Sequence, residues 1–69
     1  MNQNLIIIDD DEPFRERLAR SMEKRGFVVE TFSSANKAKE CLRDKFFTHA
    51  IVDMRLEDGS GLEIIQYIL

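Results

Sequence analysis

The sequence predicts an α/β domain, the opening of a doubly wound parallel sheet, and three observations carry that prediction. Two apolar runs, Leu5-Ile6-Ile7-Ile8 and Ala50-Ile51-Val52, each stop on a carboxylate, Asp9 and Asp53. Between them the hydrophobic period passes from strand-like to helical and back, so the element order reads β-α-β-α-β-α. Each connection is long enough to hold a helix that returns the next strand parallel to the last, a crossover that is right-handed in nearly every known case.

The first strand, Leu5 to Ile8, is a continuous apolar run of the kind covered on both faces in a parallel sheet. Pro13 follows where a first helical turn tolerates a missing N–H, with Asp11 or Glu12 as cap and as favourable charge near the helix dipole. Phe14, Leu18 and Met22 recur at helical spacing with Ala19 beside them, while Arg15, Glu16, Arg17, Arg20, Glu23 and Lys24 fill the outer face. Gly26, directly after Lys24-Arg25, stops this helix. Phe27 to Phe32 reads as a second strand, nearer an edge than the first. Ser33 or Ser34 caps a second helix carrying Ala35, Ala38, Cys41 and Leu42, which ends near Asp44. Thr48-His49 leads into the third strand, Ala50 to Asp53, and Asp58-Gly59 marks a turn after it. Ser60-Gly61-Leu62-Glu63 matches a capping box, so a third helix begins there, with either Leu62, Ile65 and Leu69 or Ile64 and Ile68 turned inward. Tyr67-Ile68-Leu69 is apolar and carries no stop signal, and the expectation is that the chain is the front part of a larger fold.

Sixty-nine residues allow one small domain, and 43% hydrophobic with 33% charged residues is an ordinary globular balance. A net charge of -3 argues against a general nucleic-acid binder, so no DNA contact is expected within these residues. The single cysteine, Cys41, has no partner for a disulfide and no metal-ligand companion, and the apolar runs are too short for a signal peptide or a membrane span. By elimination the expected location is the cytoplasm.

If the first and third strands lie side by side, Asp9, Asp10 and Asp53 meet at the carboxyl edge of the sheet, where an open α/β sheet binds its ligand. Two like charges about 4 Å apart repel by roughly 4 kcal/mol at an effective dielectric near 20, so such a cluster needs protons or a cation. An all-oxygen set favours a hard ion such as Mg2+, which takes one or two carboxylates, keeps several waters and then binds phosphate oxygens. A carbonyl in the tight loop after Asp53 is a further source of a ligand.

The strand ending Ile8-Asp9-Asp10, the second strand ending Val52-Asp53 44 residues later, and Asp58-Gly59 in the loop beyond it resemble the receiver domain of two-component response regulators. The resemblance covers residues 1–69 and implies the N-terminal part of a receiver domain. Its fold would be a partial flavodoxin-like doubly wound parallel sheet of order 2-1-3, with strands 4 and 5 absent. It implies that Asp53 is the phosphoacceptor, attacking a phosphohistidine on a sensor histidine kinase. The Mg2+ would then be bound by Asp9, Asp10, Asp53 and the backbone carbonyl of Arg55. Phe14 and Arg17 lie on the helix that such receivers offer to their kinases. The run Arg55-Leu56-Glu57-Asp58-Gly59-Ser60-Gly61-Leu62-Glu63 looks most like the redox-responsive global regulators of alphaproteobacteria, whose receivers precede a DNA-binding output domain. Receivers also use a Ser or Thr after the fourth strand and a Lys after the fifth. Here the last Thr and Lys, Thr48 and Lys45, precede Asp53, so the metal site is expected without the groups that read phosphorylation. The third strand would present an open edge, a route to dimerisation.

Rival readings are weighed residue by residue. Asp11 and Glu12 read as caps before ligands, and Cys41, at core spacing on a helix, as a small buried hydrophobe before a redox sensor. His49 stands at the far end of the third strand from Asp53 and reads as a solvated histidine. Phe14 is either core or part of the docking patch. An aspartyl phosphatase would want a carboxylate two residues after the first, where Arg55 stands, and a nucleotide fold would want glycines after the first strand, where acids stand. A phosphoacceptor module rather than an enzyme is therefore expected, with a truncated interaction piece as the alternative.

Overall fold

A computed structural model of the protein describes residues 3–68. The chain runs β1 (Asn4–Ile8), α1 (Glu12–Lys24), β2 (Val28–Phe32), α2 (Ala35–Leu42), β3 (His49–Val52), β4 (Arg55–Leu56), β5 (Gly59–Ser60) and α3 (Gly61–Ile68). β1 is the centre of a parallel sheet of order β2-β1-β3, with Leu5 paired to Val29 and His49, and Ile8 to Phe32 and Val52. This is the 2-1-3 order that the acidic strand ends require. β4 and β5 are not strands of that sheet. They form a two-stranded antiparallel hairpin, Arg55 opposite Ser60 and Leu56 opposite Gly59, where the sequence showed only a turn.

Central placement explains the composition of β1. Leu5, Ile6, Ile7 and Ile8 are all buried, since both edges are paired and both faces covered. Ile6 and Ile8 join Ala35 and Ala38 of α2, Leu56 of the hairpin and Ile64 of α3 in one cluster, while α1 lies against β1 and β2. Burying one such aliphatic side chain contributes about 1.5–3 kcal/mol, so this layer supplies much of the stability of a small domain.

The helix ends follow local rules. The Asp11 carboxylate accepts from Phe14 N–H at 3.1 Å, Pro13 sits in the first turn, and the Ser34 hydroxyl accepts from Lys37 N–H at 3.2 Å. At the other end of α1, Phe27 N–H reaches Met22 O and Gly26 N–H reaches Glu23 O, a Schellman pair that places Gly26 at φ 98°.

Two alternatives left open by the sequence are narrowed: Phe14 is 45% exposed and not part of the core, and Leu62 is 57% exposed while Ile64 is fully buried. Each lies in the first turn of its helix, and in α3 that same turn also holds Ile64. In α3 it is Ile64 that enters the core, with Ile68 at the surface; Leu69 lies outside the described residues.

Candidate metal and phosphoryl site

Parallel pairing fixes where the acids fall. Asp9 N–H donates to Phe32 O at 3.1 Å and Asp53 N–H donates to Ile8 O at 2.9 Å, so the residues after β1 and β3 continue the ladder by one step and end side by side. One carboxylate oxygen from each of Asp9, Asp10 and Asp53 lies within 4.8 Å of the others. Asp9 and Asp53 are half-buried and Asp10 is exposed, an arrangement open to water on one side. His49 is exposed at the opposite end of β3, with its ring edge-on to Phe27 at 5.0 Å and Thr48 Oγ1 2.8 Å from its Nδ1.

Backbone donors orient the two half-buried carboxylates. Asp11 N–H donates to Asp9 Oδ1 at 2.9 Å, and Arg55 N–H donates to Asp53 Oδ1 at 3.1 Å. Asp11 therefore presents its side chain to Phe14 and its amide to the acid pocket, the cap role read from its position. Arg15, assigned to the outer face from the sequence, instead donates from Nη1 to the Asp9 carbonyl at 2.8 Å. It brings a cation against the end of β1 that periodicity alone does not disclose.

The loop after Asp53 is held in a way the sequence signal only partly describes. Ser60 Oγ accepts from Leu62 N–H at 3.0 Å and Glu63 N–H at 3.3 Å, the serine half of a capping box. Gly61 N–H donates to Met54 O at 3.2 Å, and a Cβ on Gly61 would press into the Asp53 carbonyl oxygen and stand 2.7 Å from Met54 Cα. Gly61 is thus the glycine that lets α3 start against the Asp53-Met54 backbone. Asp58, read as half of a turn, sends its carboxylate across the molecule to Ala35 N–H at 2.8 Å and Asn36 N–H at 2.9 Å. Those donors, Asn36 foremost, lower its pKa.

The donor set fits a hard cation. It consists of carboxylate oxygens alone, and Mg2+–O distances of about 2.0–2.1 Å put opposite ligands roughly 4.2 Å apart, which the 4.8 Å envelope meets with small side-chain rotations. Cys41 lies away from it on α2, half-buried, its thiol pKa raised chiefly by burial and then by Glu30, which disfavours the reactive thiolate.

A parallel 2-1-3 sheet whose adjacent strands end in three converging aspartates defines a receiver module, and the chain belongs to the response regulator receiver domain family, whose model matches residues 5–69. Within that family it is similar to regulators of the RegA and ActR type. It is 46% identical over 67 residues to the photosynthetic apparatus regulatory protein RegA of Cereibacter sphaeroides, covering 97% of this chain and 36% of that protein. It is 45% identical over 67 residues to the acid tolerance regulatory protein ActR of Rhizobium meliloti, covering 97% of this chain and 34% of that protein. The chain therefore spans about a third of the length of these curated relatives. A solved response regulator from Burkholderia pseudomallei, holding a phosphorylated aspartic acid, a calcium ion and citrate, aligns with a TM-score of 0.90 at 33% identity over 97% of this chain and 39% of that one.

Proposed function

We propose that the chain is the N-terminal part of a receiver domain and accepts a phosphoryl group on Asp53, with Mg2+ held by Asp9, Asp10, Asp53 and the Arg55 backbone carbonyl. The observation that carries this reading is the convergence of the three carboxylates within 4.8 Å at the ends of paired strands. Family membership supports it, as do the phosphorylated aspartic acid and the calcium ion named for the Burkholderia structure. Among the described residues, Arg55 N–H donates to Asp53 Oδ1 at 3.1 Å, and Oδ2, without a protein hydrogen bond there, is the oxygen that would attack. The new bond joins Oδ2 to phosphorus, while the bond from phosphorus to the donor's leaving atom breaks and takes its electron pair away. The metal, when bound, offsets the charge of the phosphoryl oxygens and of the carboxylates around it.

The phosphoryl donor would be a phosphohistidine of a sensor histidine kinase, docked near Phe14 and Arg17. Both side chains are exposed on α1 about one turn apart, and Arg17 lines a shallow groove with Glu12, Pro13, Glu16 and Arg20. The parent protein would regulate transcription, with DNA contacts outside this chain, and would work in the cytoplasm. No helix among the described residues is long and apolar enough to cross a membrane.

Incubation with acetyl phosphate and Mg2+, followed by intact-mass measurement, tests the reading. A slow gain of one phosphoryl group that disappears in Asp53→Asn is expected. It should be slow because the Lys and the Thr nearest to Asp53 in sequence are engaged elsewhere: Lys45 pairs with Glu30 at 2.8 Å and Thr48 donates to the Asn4 carbonyl at 3.0 Å, so neither steadies the transferring oxygens. The rival, an interaction piece paired through the open edge of β3 where Ala50 and Ile51 are exposed, leaves the mass unchanged while the chain self-associates.

A further inference from the structure

We propose that Asp58, which lies outside the acidic cluster, is a positioning residue for it: its carboxylate fastens the β4–β5 hairpin to the start of α2 and so sets the Arg55 backbone and the Asp53 carboxylate. The inference rests on the reading of Asp53 and Arg55 as parts of the metal site.

A hairpin with two-residue arms does not hold its own shape in water, so its geometry comes from what anchors it. One anchor is Leu56, buried against Ala35, Ala38 and Ile64. The other is Asp58, whose Oδ1 and Oδ2 accept separately from Ala35 N–H and Asn36 N–H, two amides that the first turn of α2 leaves without helical partners. Gly59 brings the hairpin close enough to α2 that a Cβ there would lie 3.4 Å from the Ala35 Cβ. At its near end the same short unit carries the Arg55 N–H that holds Asp53 Oδ1, and it runs on into Gly61, whose N–H holds Met54 O. The segment that positions the acidic site is thus fixed to the domain at Leu56 and Asp58. Removing the Asp58 carboxylate releases the hairpin from the start of α2, leaving Leu56 as its hold on that helix, and the Arg55 backbone can turn with it.

The test is titration with Mg2+ alone, followed through the Arg55 amide resonance by NMR, with the folded fraction of each sample measured by circular dichroism. The wild-type chain binds, and Asp58→Ala binds about tenfold more weakly, in the range seen when supporting groups around a metal site are removed. Ser34→Ala takes an acceptor from the same helix end but leaves the hairpin tied, and it binds as the wild type does. Asp58→Asn, which preserves the shape and one acceptor oxygen, covers the case in which Asp58→Ala does not fold, and shows intermediate weakening. Wild-type affinity in both Asp58 variants overturns the inference, as does a loss in Ser34→Ala equal to that in Asp58→Ala. A wild-type chain that folds and does not bind Mg2+ overturns the reading of the site itself.

Discussion

Replacing Gly61 by alanine has an effect whose sign, as well as size, follows from the geometry. In most helical positions Gly→Ala stabilises by about 0.5–1 kcal/mol, because alanine loses less backbone freedom. Here the added Cβ meets backbone alone: the Asp53 carbonyl oxygen, Met54 Cα at 2.7 Å and the Asp53 carbonyl carbon at 2.8 Å. No side-chain rotation relieves those contacts. Restoring an ordinary 3.4 Å contact to Met54 Cα from 2.7 Å requires a shift of about 0.7 Å, either of α3 away from β3 or of the Asp53-Met54 backbone itself. Overpacking of this kind costs about 1–3 kcal/mol, enough to reverse the propensity gain. The displaced backbone carries the proposed phosphoacceptor, and errors near 1 Å in a reacting group can cost about a hundredfold in rate. Gly61→Ala is therefore expected to lower the urea midpoint and slow acetyl phosphate transfer, with Mg2+ affinity falling alongside. Equal or greater stability, with Mg2+ affinity and transfer rate intact, would refute the close approach of α3 to Asp53.

Two further outcomes follow from the caps. Asp11→Ala should destabilise the chain by about 1 kcal/mol through loss of the bond from Phe14 N–H, and Asp11→Ser should recover most of that; Mg2+ affinity measured by calorimetry stays unchanged in both, since the contribution of Asp11 to the acid pocket is its backbone amide. Because N–H donors lower the Asp58 pKa in the folded state, its contribution is complete above the ordinary Asp value of about 3.9 and is lost as the pH falls through the lower folded value. Urea midpoints followed from neutral to strongly acidic pH should therefore decline less steeply in Asp58→Asn than in the wild type.

What the sequence discloses and what it conceals divide along the range of the interactions. The four-residue run Leu5 to Ile8 announces a central strand because a strand covered on every side has no polar face to show. Two such runs ending in aspartate then place Asp9, Asp10 and Asp53 together once parallel pairing is granted, and the register of β1 with β3 does so. Caps at Asp11 and Ser34 and the Gly26 stop are legible because their partners lie within a turn. Asp58 is not, since its partners are 22 and 23 residues away and a turn rule accounts for its residue type without them. The need for glycine at 61 is a matter of one helix approaching one strand end, which a capping pattern does not encode. Phe14 and Leu62 stay open in the sequence for a related reason: helical period offers competing faces, and only the packing decides that Ile64 and not Leu62 enters the core.

The central claim is that Asp53, among three clustered aspartates, is the residue that takes the phosphoryl group. Borohydride reduction of the chain after treatment with acetyl phosphate and Mg2+ converts an acyl phosphate to homoserine at the modified position, and peptide mass mapping reads where. The account predicts homoserine at position 53, dependent on Mg2+, with Asp9 and Asp10 unaltered. Homoserine at position 9 or 10, or none in a folded, Mg2+-binding sample, would contradict it.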